Sequence, residues 1–148
     1  LVKFFKNEKL NNKIVHVYPG ADFSNKLEYK FTKKNMEIDS PIKFIMVGTI
    51  EPRKNHINIL KVFKKLWDRN QEVQLTLIGK EGWNVKELKQ EIRALEDNYP
   101  DKFNWLQSAS DSELITILSK SHCLIQASID EGCGIPIMEA AFIGLNLI

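Results

Sequence analysis

From residue 42 onward the chain alternates short apolar runs with amphipathic segments, and this alternation narrows the available folds more than any other feature. Ile42–Val47, Val73–Ile78, Phe103–Leu106 and Cys123–Ala127 are brief and rich in Val, Ile, Leu and Phe, which predicts buried strands. Between them lie helical patterns. In 56–67, Ile59, Leu60, Val62, Phe63, Leu66 and Trp67 fall on one side, while Lys61, Lys64, Lys65 and Asp68 form a solvated face. Asn84 with Glu87, and Ser110 with Glu113, carry the spacing of capping boxes at two further helix starts. Val85, Leu88, Ile92 and Leu95 in one helix, and Leu114, Ile117 and Leu118 in the other, then face a sheet. Strands alternating with helices imply an α/β fold: a doubly wound parallel sheet covered on both faces.

With 148 residues and 43% hydrophobic content, the chain can bury one core, about one domain. Its formal net charge of +2 leaves no polybasic footprint for nucleic acid. Cys123 and Cys133 lack zinc or redox spacing and fit a reducing compartment. No apolar run approaches the ~20 residues that span a bilayer, and the N-terminus has no signal-peptide pattern. A soluble, cytoplasmic protein is expected. Residues 1–22, with a strand at Ile14–Tyr18 closing on Pro19-Gly20, read as the tail of a preceding domain. Residues 23–40 read as a linker, and 41–148 as the sheet domain. Gly144–Ile148 reads as the place where a further strand begins, so that the last strand is expected to be missing.

Two loops carry chemistry. Glu131 and Glu139 have seven residues between them, beginning Gly132-Cys133-Gly134-Ile135-Pro136. Gly132 and Gly134 can take positive φ, and Pro136 suits a helix start, so a loop should end there at a helix N-terminus. The free N–H groups and the dipole of such a terminus favour an anion such as phosphate. Carboxylates are acceptors only, suited to sugar hydroxyls. Together the features describe a polyol attached to a phosphate; taken alone, the two glutamates read more simply as solvated surface residues.

The second loop, Gly48-Thr49-Ile50-Glu51-Pro52-Arg53-Lys54-Asn55, follows the first strand and precedes the first helix. Ligands of parallel α/β sheets bind at the carboxyl ends of strands, so both loops should open on one edge. Arg53 and Lys54 at a helix start capped by Asn55 suit a diphosphate. Neither a Walker loop nor a dinucleotide fingerprint is present. His16, His56 and His122 read as structural rather than catalytic.

Val47–Asn55, then Leu77-Ile78-Gly79, then Ser128–Ala140 together resemble the C-terminal half of the retaining, nucleotide-sugar glycosyltransferases of two-domain GT-B architecture, group 1. The segment from Ile14 to Asp22 resembles the joint between that family's domains. The resemblance implies a Rossmann-like donor domain in which Glu131 contacts the donor sugar, Glu139 the ribose, and Lys54 with Arg53 the diphosphate. Gly48 and Thr49, and backbone amides near Cys133, Gly134 and Ile135, would complete substrate binding. Cys133 replaces a usual aromatic residue, Leu145-Asn146 a Pro-containing turn, and Thr49 an additional arginine; the shape of the sugar pocket is therefore open.

The implied reaction moves a sugar from a nucleotide diphosphate sugar to a glycan or lipid-linked acceptor with retention, in surface polysaccharide assembly, with no cofactor and no metal. Acceptor recognition would lie in an N-terminal domain outside this sequence, leaving room for peripheral membrane association of the longer protein. This chain alone is expected to fold but to be inactive. The segments 79–83 and 106–110 are expected to line the base and diphosphate site. A non-catalytic doubly wound domain that binds a nucleotide or a protein partner is the alternative of a different class, and a GT-B phosphorylase or sugar-nucleotide epimerase the nearer one.

Overall fold

The computed structural model describes residues 41–148. The expected tail, linker, Ile14–Tyr18 strand and His16 lie outside the described residues. Five strands form one parallel sheet: β1 (Ile42–Val47), β2 (Val73–Ile78), β3 (Phe103–Leu106), β4 (Cys123–Leu124) and β5 (Asn146–Leu147). Their order is β3-β2-β1-β4-β5, with Ile42 opposite Val73 and Phe44 opposite Cys123. Four helices connect them: α1 (His56–Asp68), α2 (Lys86–Asn98), α3 (Asp111–Lys120) and α4 (Ile135–Phe142).

Period-2 alternation divides the apolar residues between two cores. Met46, Leu75 and Leu77 bury on one face against Leu60, Phe63 and Trp67 of α1 and Leu88, Ile92 and Leu95 of α2. Ile45, Ile78 and Leu124 bury on the other against Leu118 of α3 and Ala140 of α4. The chain therefore changes face between β3 and β4, so β1 and β4, neighbours in the sheet, send their following helices to opposite sides. That is the topological switch point where doubly wound sheets bind ligands.

An aromatic chain stiffens the first face. Phe44 meets Phe63 edge-on at 5.3 Å, and Trp67 lies 4.9 Å from Tyr99 and 6.0 Å from Phe103 between ring centres. The Trp67 indole donates to the Val73 carbonyl at 2.9 Å, so burying this ring leaves no orphan N–H.

Several local expectations are corrected. The strand expected to be missing after Gly144 forms two residues, β5, paired with β4. β4 is shorter than expected: regular pairing stops at Leu124, and after Ile125 and Gln126 donate to Ile45 and Ile148 the chain leaves for the Glu131 loop. Val62 is 51% exposed, because the buried stripe of α1 follows His56, Leu60, Phe63 and Trp67. No capping box opens α2: Asn84 takes a left-handed φ of 53° and Val85, buried in the core, is the N-cap. Only the extended conformation lets an Asn side chain cap the next turn. Ser110 and Glu113 do form the expected box on α3.

Candidate functional site at the switch point

After β1 the backbone turns sharply. Gly79, following β2, lies so close to it that an added Cβ would stand 1.9 Å from the Gly48 carbonyl oxygen. The chain then makes a short 3-10 turn over Pro52–Lys54 and enters α1 through Asn55, at φ 60°. Asn55 occupies the N-cap place, as expected, but its side chain accepts from Asn58 at 2.6 Å instead of capping the backbone. This turn thrusts Arg53 and Lys54 toward β4.

The loop after β4 meets it. Ile129 N–H donates to the Arg53 carbonyl at 2.8 Å, and Arg53 Nη1 donates to the Asp130 carbonyl at 2.9 Å. Lys54 Nζ pairs with Glu131 Oε2. Two segments 77 residues apart in sequence are thus joined through both backbone and side chains, as expected for loops at one edge.

Glu131 Oε2 also accepts from Gln126 Nε2 at 2.8 Å and Ser128 Oγ at 3.1 Å. Arg53 Nη1 stands 3.6 Å from Oε1, while its Nη2 pairs with Glu51 at 2.6 Å. The Lys54 hydrogen bond, against some desolvation and helped by Ser128, lowers the Glu131 carboxyl to about 2. It is a carboxylate at any physiological pH. Gln126, Ser128 and Glu51 are site residues that sequence reasoning missed. The signal available was a polar Gln126 at the end of an apolar run.

The remaining predicted residues fall around this pair. Lys54 crosses Gly48, whose added Cβ would lie 3.5 Å from Cε, and Thr49 is exposed. Gly134 takes φ 67° as N-cap of α4, with Pro136 second in the helix. A Cβ at Gly134 would reach 3.0 Å from Ile137 Cδ1 and 3.8 Å from Glu131 Cγ, so a glycine there keeps the loop tight. Gly132 takes no positive φ, contrary to expectation. Cys133 is an exposed free thiol, and Ile135 is exposed. Glu139 lies one turn into α4, half-buried, and burial raises its pKa. It is not joined to Lys54 or Glu131 by any hydrogen bond or ion pair among the described residues.

His56, in the first turn of α1, is buried and its Nδ1 has no hydrogen-bond partner among the described residues. Burial first, with Lys54 assisting against the Glu51 carbonyl and carboxylate, lowers it to about 4. It is neutral, which suits its structural reading.

Segments 79–83 and 106–110 border separate cavities. One of about 300 Å³ is lined by Leu106, Ser108, Ala109, Glu113 and Ile117. Another of about 460 Å³ is lined by Glu81, Asn84, Lys86, Lys89 and Arg93. Neither is lined by Arg53, Lys54, Glu131 or Glu139. Among the described residues, no group of three His, Cys, Asp or Glu side chains gathers at metal-binding range, and no helix is long and apolar enough to cross a membrane.

Comparison with known proteins places this arrangement. The family model described as glycosyl transferases group 1 matches residues 28–148. The serotype-specific mannosyltransferase WbdA of Escherichia coli is 44% identical over 101 residues, covering 66% of this chain and 12% of that protein. The O-antigen chain mannosyltransferase RfbU of Salmonella typhimurium is 35% identical over 97 residues, covering 66% of this chain and 26% of that protein. The chain thus spans only a small part of these relatives. The crystal structure of the C-terminal domain of the group 1 family protein LpcC from Francisella tularensis superposes with a TM-score of 0.61 at 17% identity, over 73% of this chain and 57% of that one. An α,α-trehalose-phosphate synthase from Burkholderia xenovorans gives 0.61 at 12% identity, over 72% of this chain and 27% of that one. Both likenesses concern the fold.

Proposed function

We propose, for a chain that belongs to the glycosyl transferases group 1 family, that it is the donor-binding domain of a glycosyltransferase acting in surface polysaccharide assembly. The observation that carries this reading is the meeting of the Arg53–Lys54 turn with the Glu131 loop across β1 and β4. It puts phosphate-binding cations and a hydroxyl-accepting carboxylate side by side at the switch point of the sheet. The relatives named as mannosyltransferases support mannose as the sugar.

In this reading the donor's diphosphate takes Lys54 and Arg53, its sugar hydroxyls donate to Glu131, and its ribose hydroxyls donate to Glu139. Gly48, Thr49 and the backbone around Cys133, Gly134 and Ile135 line the path between them. Fixed cations and the N–H groups opening α4 stabilise the negative charge that builds on the departing diphosphate, without a metal ion or cofactor. Transfer proceeds with retention at the sugar carbon. The glycan or lipid-linked acceptor is held by a further domain, and the reaction takes place on the cytoplasmic side.

Titration of the chain with mannose-bearing nucleoside diphosphates by calorimetry tests the assignment. Lys54→Ala, which removes a charge-assisted contact, is expected to weaken binding about tenfold or more. Glu139→Ala should weaken it less. Binding left unchanged by both substitutions would overturn the site. No sugar transfer is expected from the 148-residue chain alone.

A further inference from the structure

The resting site is already charge-satisfied. Lys54 is held by Glu131, Arg53 by Glu51 and by the Asp130 carbonyl. Glu131 Oε2 accepts from Lys54, Gln126 and Ser128 at once, which exhausts the lone pairs of one carboxylate oxygen. A sugar hydroxyl cannot be added to Oε2 without displacing a donor, and a phosphate that reaches Lys54 must share its three-donor ammonium with the Glu131 carboxylate. Glu131 therefore sits where it competes with any phosphate for the same ammonium.

From this exchange we infer that Glu131 is a specificity-determining residue that discriminates against free diphosphates, including the nucleoside diphosphate left after transfer. The inference rests on the donor-site reading above. A bare nucleoside diphosphate or pyrophosphate draws on Lys54 but sets a second anion beside the Glu131 carboxylate and gives that carboxylate no donor in return. Like charges held side by side around one shared cation repel each other. A sugar nucleotide offsets that repulsion: its phosphate shares Lys54 while its hydroxyls donate to the Glu131 carboxylate. Once the sugar has gone, Glu131 closes again on Lys54 and helps to expel the product. Gln126 and Ser128 hold the carboxylate in the competing position throughout.

Calorimetric titration of wild type, Glu131→Gln, Glu131→Ala and Lys54→Ala tests this, with inorganic pyrophosphate, uridine and guanosine diphosphates, and their mannose conjugates as probes. Thermal melts confirm that each variant is folded; two substitutions at Glu131 guard against misfolding of one. Both Glu131 variants are expected to bind pyrophosphate and the preferred nucleoside diphosphate on the order of tenfold more tightly than wild type. They should bind the conjugate no more tightly than wild type. Lys54→Ala should weaken all probes, and the Glu131→Gln gain should vanish in the Lys54→Ala background. Free diphosphates bound equally or more weakly by both Glu131 variants, with Lys54→Ala still weakening them, would overturn the competition and leave the donor site standing. If no probe binds wild type or any variant, the donor site falls and the inference with it.

Discussion

The two faces of the sheet are built from different material, and the candidate site joins them. The α1–α2 face carries an aromatic chain from Phe44 through Phe63 and Trp67 to Phe103. The α3–α4 face is aliphatic and small-residue in its described core, which includes Ala140 of α4. Arg53 and Lys54 enter from the aromatic side through α1; Glu131 and Glu139 come from the aliphatic side with α4. The cations are thus mounted on the more heavily anchored element and the carboxylates on the lighter one.

That contrast can be broken most forcefully in the cores. Trp67→Ala removes a ring packed against Phe63, Tyr99 and Phe103, and should cost about 4 kcal/mol, against about 3 kcal/mol for Leu118→Ala on the other face. Urea unfolding compares the two directly. A larger loss for Leu118→Ala would reverse the assignment of the anchored side.

The faces should also titrate in opposite directions. His56, beneath the aromatic side, has its folded pKa lowered from 6.5 to about 4 by burial. Its unfolded state therefore binds the proton first, so its contribution to stability is intact above pH 6.5 and is lost as pH falls toward 4. The linked change is on the order of 3 kcal/mol. Glu139 on α4 has its pKa raised by burial; its contribution is full below 4.5 and declines as pH rises through the raised value. Denaturant midpoints across this range should show a shallower acid-side fall in His56→Gln than in wild type. An identical slope would mean that His56 is not held neutral in the folded chain.

The smallest effect concerns the helix starts. Ser110→Ala removes the hydroxyl arm of a formed capping box on α3, leaving the backbone N–H of residue 110 on Glu113, and should cost about 1 kcal/mol. Asn84→Gly, at φ 53° before α2, should cost nothing, since the side chain caps nothing and glycine tolerates that conformation. Thermal melts of the two variants separate a cap from a turn.

Strands and helices were legible because burial on both faces writes itself as apolar runs and 3.6-residue stripes. Ile42–Val47 and Val73–Ile78 appear residue for residue as expected. Local conformation was less legible: Asn84 precedes Glu87 with capping spacing, yet the pull of Val85 into the core sets a left-handed turn there instead. The four charged site residues could be named because loops at strand carboxyl ends share one edge. Their pairing could not. Which donors surround Glu131 depends on β4 lying beside β1, and Gln126 and Ser128 acquire their role only through that placement. The strand read as beginning in 144–148 was expected to be missing, yet two of its residues pair with β4 as β5.

The Arg53–Lys54 turn and the Glu131–Glu139 loop are proposed to hold one donor between them. A crystal structure of the chain soaked with a mannose-bearing nucleoside diphosphate tests this most directly. The expected result is diphosphate oxygens within hydrogen-bonding distance of Lys54 Nζ, mannose hydroxyls on Glu131, ribose hydroxyls on Glu139, and the Lys54–Glu131 pair opened. A ligand seated instead among Glu81, Lys86, Lys89 and Arg93, with that pair intact, would contradict it.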